Sequence, residues 1–211
     1  MKLWIFGDSF SKKFETKYGW DRNYIQIKGY HPKVFGELLS ESLGFELKNF
    51  SAYGNSNYDI FHSFVDVIDR IEPNDIIIIQ WVSMRIIRLV DKDNEFRTID
   101  LNWNREYPFF NESQESIDAI LNNRKSELFK QEIDDWIKII KISKSNNKII
   151  FWSPIEESTG NSNMLPFYSF NTINDETNGE LKDLHLSETG HQEFAKLLLD
   201  KIKNNEKSNL I

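Results

Sequence analysis

Short apolar runs and amphipathic stretches alternate along most of this chain. Residues 3–6 form a β-branched and aromatic run that ends before Gly7, which predicts a buried strand. A polar loop with scattered aromatic residues follows. Pro32 then suits the first position of a helix that carries apolar residues at helical spacing and ends at Gly44. The chain therefore begins with a strand, a loop and a helix.

The same alternation predicts the rest of the fold. Residues 45–50 and 76–81 predict two more strands, with a helix over residues 58–70 between them. The run at 76–81 is apolar on both faces of the pleat, as in a central parallel strand that helices cover on each side. A further strand at 148–152 lies between two more helices. Such alternation predicts an α/β protein with a doubly wound parallel sheet in a three-layer α/β/α sandwich.

The organisation of the chain points to one domain. A length of 211 residues suits a single domain, and no repeat, low-complexity tract or linker divides it. Residues 89–123 lack clear periodicity. We therefore expect one domain over residues 1–211, with an irregular insertion at about 89–123. It should lie above the carboxyl ends of the strands, where open parallel sheets bind their ligands.

Composition and charge exclude several classes of protein. The chain has 26 Lys and Arg against 33 Asp and Glu, a net charge of −7, and no basic run, which argues against a nucleic-acid-binding protein. It has no cysteine, which excludes disulfides, thiolate nucleophiles and zinc-thiolate sites. The longest apolar run, at 76–79, is too short to span a bilayer, and Asp8 interrupts any stretch resembling a signal peptide. We expect a cytoplasmic protein without a membrane partner.

Sequence motifs for cofactors and metals are missing. The chain has no phosphate-loop, dinucleotide-binding or zinc-protease motif. Asp91, Asp93 and Glu95 have the spacing of the start of a calcium loop, but Phe96 replaces the glycine that its sharp turn needs. We therefore expect no cofactor and no metal ion.

Two short motifs near opposite ends of the chain carry candidate catalytic groups. Ser9 lies just past the first strand, where its Oγ can project from the sheet while its own N–H points at the same spot. Asp183 and His185 share one tight loop, where the carboxylate can fix the imidazole tautomer and leave the other ring nitrogen to take the serine proton. These residues predict a Ser-His-Asp triad. The alternatives are a helix-cap or turn role for Ser9 and a loop position for His185 in which its hydrogen bonds are satisfied without catalysis.

In these motifs the sequence resembles the SGNH hydrolases, the GDSL-type esterase and lipase superfamily. Residues 7–11 match the nucleophile block of that family, residues 49–57 resemble its glycine block, and residues 183–191 resemble its last block. The resemblance covers most of the chain by the order of its elements. It implies a flavodoxin-like sandwich with a parallel sheet of about five strands.

The resemblance also implies a site. It assigns Ser9 as the nucleophile, Asp183 and His185 as the acid and base of the triad, and the N–H groups of Ser9 and Gly54 as donors to an oxyanion hole. One departure concerns the acid. The family usually spaces these residues as Asp-x-x-His, whereas only Leu184 separates them here. A Ser-His dyad supported by a backbone carbonyl is therefore an alternative.

The second departure concerns the oxyanion hole. The family carries a Gly-x-Asn after its third strand, and its asparagine acts as a third donor. This chain reads Gln80-Trp81-Val82-Ser83 there. We expect Asn57 or Gln80 to replace the asparagine, with Ser83 as a further candidate.

Aromatic side chains suggest the chemistry of the substrate. Phe, Trp and Tyr make up 14% of the chain, and many follow the predicted strands, where the loops should open onto the site. We expect Trp20, Trp81 and Trp103 to contact substrate, because flat aromatic faces suit sugar rings or a hydrophobic acyl group. The alternative is that such aromatic residues hold long loops in place.

Together these features predict a serine esterase. The expected substrate is a short acyl ester, with acetyl as the acyl group, of a carbohydrate or other small molecule. The acyl preference is implied mostly by the resemblance. The alternatives are acyl transfer to a sugar hydroxyl and a binding module that keeps the fold without the activity.

Overall fold

The computed structural model describes residues 1–15, 19–82, 86–90, 96–100, 127–154, 164–165 and 170–208. Strands and helices alternate along most of this part of the chain. In chain order they are β1 (Lys2–Phe6), α1 (Gly19–Lys28), α2 (Phe35–Leu43), β2 (Glu46–Asn49), α3 (Asn57–Val65), β3 (Ile76–Gln80), β4 (Ile86–Val90), β5 (Phe96–Asp100), α4 (Glu127–Ser143), β6 (Lys148–Trp152), β7 (Met164–Leu165), α5 (Ile173–Glu176) and α6 (Glu188–Ser208).

The main sheet of the described residues has five parallel strands in the order β2-β1-β3-β6-β7. With β6 and β7 counted as the fourth and fifth strands, this is the flavodoxin-like order. The four long strands lie within one residue of their predicted ends. The predicted doubly wound α/β sandwich is confirmed.

Helices cover both faces of the sheet. Alternate residues of β3 point to opposite faces, so Ile77 and Ile79 pack with α3 and α4, while Ile76 and Ile78 pack with α2 and α6. All four isoleucines are buried. This two-sided burial explains why the strand is apolar at every position before Gln80.

Several helical regions differ from the sequence prediction, and α2 begins at Phe35 rather than at Pro32. The polar stretch after β1 contains α1, which was predicted as loop, and its fully buried Tyr24 packs against Phe14. The helix predicted over residues 58–70 is shorter in the structure: α3 ends at Val65, and a separate 3₁₀ turn follows at Ile68–Arg70. The helix α2 does end where predicted, because Gly44 adopts the left-handed conformation with φ of 67°.

The predicted insertion at 89–123 is corrected at its start. Strands β4 and β5 pair antiparallel, with Ile86 opposite Asp100 and Val90 opposite Phe96. The β-branched run at 86–90 and the polar stretch 91–95 after it were the available sequence signals for a hairpin. Residues 101–126 lie outside the described part of the chain.

Candidate active site

The nucleophile loop, residues 7–11, follows β1 at the carboxyl edge of the sheet. Asp8 Oδ1 accepts a hydrogen bond from the N–H of Phe10 at 2.9 Å, and the Asp8 carbonyl accepts one from Ser11 N–H at 3.1 Å. A Cβ on Gly7 would lie 2.5 Å from Gln80 Oε1, so only glycine allows this close approach. The two hydrogen bonds hold Ser9 at the tip of a tight turn.

A buried carboxamide supports this loop from β3. Gln80 is fully buried, and its Oε1 accepts hydrogen bonds from Asp8 N–H at 3.3 Å and from the Ser11 hydroxyl. Its Nε2 donates to Asp8 Oδ1. Burial raises the pKa of Asp8, although the hydrogen bonds from Phe10 and Gln80 oppose that effect. Gln80 therefore joins the end of β3 to the turn that carries Ser9.

The loop that carries Asp183 and His185 is fixed by backbone pairing just before α6. Ile173 N–H donates to the His185 carbonyl at 2.9 Å, and Asn174 N–H donates to the Asp183 carbonyl at 2.8 Å. Ser187 N–H donates to a carbonyl of the same segment, that of residue 171, at 3.0 Å. Both side chains of the predicted pair therefore project from backbone that is held at several points.

Ser9, His185 and Asp183 form a continuous hydrogen-bonded line. His185 Nε2 lies 2.7 Å from Ser9 Oγ, and His185 Nδ1 lies 2.6 Å from Asp183 Oδ1. The Asp183 side chain is 8% exposed and the His185 side chain 33% exposed, so the imidazole is reached from solvent while the carboxylate is not. In this geometry a hydroxyl can pass its proton to an imidazole whose other nitrogen is held by a carboxylate.

The charges around His185 favour its protonated form. Burial alone would raise the pKa of Asp183, but the hydrogen bonds from the ring and N–H of His185 outweigh burial and lower it. Burial would lower the pKa of His185, but the hydrogen bond from Asp183 and the charges of Asp183, Asp8 and Asp21 together raise it. An imidazolium formed at His185 is therefore stabilised by its surroundings.

Two backbone donors lie in loops that are joined to each other. Gly54 has φ of 72°, a left-handed conformation that favours glycine. Its loop is tied to the nucleophile loop by Asn55 Nδ2 and Ala52 N–H, which donate to the Gly7 carbonyl at 2.9 and 3.3 Å. Among the described residues, the N–H groups of Ser9 and Gly54 have no hydrogen-bond partner.

The expected side-chain donors, Asn57 and Gln80, have structural partners instead. Asn57 is 1% exposed, and its Nδ2 donates to the Val82 carbonyl at 3.0 Å while its Oδ1 accepts from Val82 N–H at 2.7 Å. The Gln80 carboxamide is bonded to the nucleophile loop, as described above. Through these bonds Asn57 holds the backbone at Val82 and Gln80 holds the nucleophile loop, and each amide nitrogen uses one of its two N–H donors. Ser83 lies outside the described residues.

Of the three tryptophans expected to contact substrate, the structure contradicts one. Trp81 is fully buried, with its ring centroid 6.0 Å from that of Trp136 and 6.4 Å from that of Phe151. The alternation of β3 continues past Gln80, which places Trp81 in the helix-covered core. The Trp20 side chain and all of Trp103 lie outside the described residues.

Two neighbours of the site were not predicted. The Phe10 ring lies against the His185 imidazole, with centroids 4.4 Å apart. Asp21 is buried in α1 and accepts hydrogen bonds from the Tyr53 hydroxyl and from Glu15 N–H, the latter at 2.6 Å. The position of Phe10 directly after Ser9 was an available signal. Asp21 offered none, because the helix that carries it was not predicted.

The described residues contain neither a cluster of metal-ligating side chains nor a membrane-spanning helix. Those residues contain no group of three or more His, Asp or Glu side chains that could hold a metal ion. None of the helices among them is both long and apolar enough to cross a membrane.

Comparisons with known proteins bear on the fold. Neither a protein-family model nor a curated protein matches the sequence. An acetyl xylan esterase, Est2A, from the rumen bacterium Butyrivibrio proteoclasticus matches with a TM-score of 0.50 and 14% identity, over 98% of this chain and 64% of that chain. A carbohydrate esterase whose active site is described as having divergent catalytic and non-catalytic binding functions matches with a TM-score of 0.47 and 12% identity, over 96% of this chain and 68% of that chain.

This chain thus spans slightly less than two thirds of the length of Est2A. At 14% identity the match is evidence for a shared fold and not for a shared activity. The chain has the fold of the acetyl xylan esterase Est2A, which is the α/β fold that the sequence predicted.

Proposed function

We propose that this protein is a serine esterase that removes a short acyl group, with acetyl as the preferred group, from a carbohydrate or other small ester. The observation that carries the proposal is the hydrogen-bonded line from Ser9 Oγ through His185 to Asp183 Oδ1. It lies at the carboxyl edge of a parallel sheet, where open α/β folds place their ligands.

The first half of the reaction forms an acyl-enzyme. Ser9 Oγ attacks the ester carbonyl while its proton passes to His185 Nε2, and Asp183 holds the imidazole in the tautomer that accepts it. The N–H groups of Ser9 and Gly54 donate to the oxygen that becomes negatively charged. The carbon–oxygen bond to the alcohol then breaks, and the leaving alcohol takes the proton from His185.

The second half returns the free enzyme. A water molecule gives a proton to His185 Nε2 as its oxygen attacks the acyl carbon, and the same two N–H groups hold the oxyanion. The bond to Ser9 Oγ then breaks, and the serine recovers its proton from His185. The net reaction converts ester and water into a carboxylic acid and an alcohol.

Two observations support the substrate class. The His185 side chain is 33% exposed, which fits an ester that is carried on a larger molecule. An acetyl xylan esterase shares the fold over almost the whole of this chain. Both fit a short acyl group carried on a carbohydrate.

The proposal is tested by ester turnover with purified variants. Wild type and Ser42→Ala, a control at an exposed helical serine, should hydrolyse p-nitrophenyl acetate faster than longer-chain p-nitrophenyl esters. Ser9→Ala should lose on the order of 1,000-fold or more in kcat, because the nucleophile is gone.

Turnover that persists in Ser9→Ala preparations free of host esterase would overturn the assignment. If wild type binds acetylated carbohydrates but turns over no ester, the protein is a binding module. Acyl transfer would be recognised by acetylated sugar products when a sugar acceptor competes with water.

A further inference from the structure

We propose that Phe10 is a positioning residue for His185, and that its ring both fixes the imidazole and stabilises the imidazolium that forms during acyl transfer. The inference rests on the proposed function. The juxtaposition behind it is a ring centroid distance of 4.4 Å at an interplanar angle of 36°. At this distance the phenyl ring covers one face of the imidazole.

Phe10 is itself held in place on two sides. Its N–H donates to Asp8 Oδ1 at 2.9 Å, within the turn that Gln80 supports from β3. Its ring packs, partly buried, against the core between the sheet and α6. A ring fixed by its backbone and by the core can fix a neighbour at little further cost in entropy.

His185 needs such a contact because its other restraints lie in the plane of its ring. Hydrogen bonds to Ser9 and Asp183 act at the two ring nitrogens and leave the ring free to swing about the line that joins them. Leu184, the only residue between Asp183 and His185, is 74% exposed, so it is poorly placed to pack against the imidazole. Phe10 supplies the contact on the face.

The same contact acts on charge. A cation above an aromatic face is attracted by the negative face of the ring, and the attraction grows where water is excluded. His185 becomes a cation each time it takes the serine proton. A phenyl ring in this position therefore favours the protonated intermediate as well as the correct orientation.

Other titratable groups also affect the pKa of His185, and their effects must be distinguished from that of Phe10. Asp183 on its own loop, Asp8 on the nucleophile loop and Asp21 on α1 each stabilise the imidazolium. His191 on α6 would oppose it if charged, but burial lowers the pKa of His191 to about 3 and keeps it neutral. A substitution at Phe10 leaves all four groups in place.

The direction in which the pKa of His185 shifts when the Phe10 ring is removed distinguishes this role from simple packing. If the ring only excluded water, its loss would relieve burial and raise the pKa of His185. If the ring stabilises the cation, its loss lowers that pKa. The two accounts therefore predict opposite shifts for the same substitution.

The experiment compares Phe10→Leu and Phe10→Met with Phe10→Tyr, which keeps an aromatic face. Phe14→Leu serves as a matched control, because Phe14 packs edge-on against a different histidine, the buried His191, at a centroid distance of 6.3 Å. Each variant is measured for kcat and KM against pH. The His185 imidazole is also titrated by NMR in the Ser9→Ala background, and thermal unfolding checks the fold.

In Phe10→Leu and Phe10→Met we expect kcat to fall by roughly 2- to 30-fold with KM little changed, the range of a cation–π contact. The pKa of His185 should fall with it. Phe10→Tyr and Phe14→Leu should retain the wild-type profile. The proposal is wrong if the pKa of His185 rises or stays constant in both non-aromatic variants.

Failure of this inference can be told apart from failure of the proposed function. The NMR titration in Ser9→Ala requires no turnover, so it reports on Phe10 even if the protein hydrolyses no ester. Conversely, if turnover depends on Ser9 but the pKa of His185 does not shift in the non-aromatic variants, the esterase proposal stands and the proposed role of Phe10 is wrong.

Discussion

One carboxylate oxygen of Asp183 accepts two hydrogen bonds from His185, at 2.9 Å from its backbone N–H and at 2.6 Å from ring Nδ1. The first bond closes a short turn of the Asx type. Because this turn brings the two residues together, the same oxygen also reaches ring Nδ1 directly. This turn explains how an Asp-x-His spacing can support the histidine, whereas the SGNH hydrolases that the sequence resembles use Asp-x-x-His.

Asp183→Asn tests the role of this carboxylate. The Asn oxygen can still accept the backbone N–H and keep the turn, but the negative charge that stabilises the imidazolium is lost. We expect kcat to fall on the order of 1,000-fold with little change in thermal stability. Asp200→Asn, at an exposed position of α6, is the control and should behave as wild type. A near-native kcat in Asp183→Asn would favour the Ser-His dyad instead.

The pH dependence of kcat/KM should report the protonation of His185. The base acts only when neutral, so activity should rise with pH through one step. Because the pKa of His185 is raised, the midpoint should lie above the ordinary value of 6.5. In Asp183→Asn the midpoint should move to lower pH. A profile that is flat between about pH 5 and 9, with chemistry rate-limiting, would exclude His185 as the base.

Asn57→Ala separates a structural amide from an oxyanion donor. The substitution leaves both polar backbone groups of Val82 without their partner, which should lower the free energy of unfolding by about 1–3 kcal/mol. Loss of an oxyanion donor would instead lower kcat by about 100- to 1,000-fold. We expect the first effect, measured by urea unfolding, with kcat changed far less than 100-fold. Asn23→Ala, on the exposed side of α1, is the control.

His191 should make the fold sensitive to acid. It is buried, and its Nδ1 accepts the N–H of Phe35 at 3.3 Å. Burial lowers its pKa to about 3, whereas in the unfolded chain it should titrate near the ordinary value of 6.5. Between these values the unfolded state binds one more proton, so the residue lowers stability by about 1.4 kcal/mol for each pH unit of acidification.

The loss of unfolding free energy that His191 causes on acidification is measurable by urea unfolding at about pH 7 and about pH 5. The wild type and His31→Gln, a substitution at an exposed histidine, should lose about 2 kcal/mol more over this interval than His191→Gln does. An equal loss in all three proteins would show that His191 is not the group responsible.

Local sequence pattern was sufficient for most of the sheet. Helices cover both faces of β3, so successive positions of the strand must be apolar, and this requirement is visible in its run of four isoleucines. Helix α1 was missed because its apolar residues do not form a clear helical stripe: among its residues of described burial, the two that are buried are Asp21 and Tyr24. The burial of Trp81 was predictable from the period of two along β3, since it shares a face with Ile77 and Ile79.

The site was predictable only where side chains are close in sequence or follow a strand end. Only Leu184 separates Asp183 from His185 in the chain, and Ser9 follows β1. The partners of Asn57 and Gln80 lie 25 and about 70 residues away, so no local pattern could show that their amides are used by Val82 and by the nucleophile loop. The contact between Phe10 and His185 likewise depends on how the two ends of the chain meet.

The central claim is that Ser9 is a nucleophile activated by His185. Its most direct test is covalent labelling with a fluorophosphonate, followed by intact-mass and peptide mass spectrometry of wild type, Ser9→Ala, His185→Ala and the control Ser42→Ala. We predict a single adduct on the peptide that contains Ser9 in wild type and Ser42→Ala, much slower labelling in His185→Ala, and none in Ser9→Ala. An unlabelled wild type that is correctly folded, or an adduct that persists in Ser9→Ala, would contradict the account.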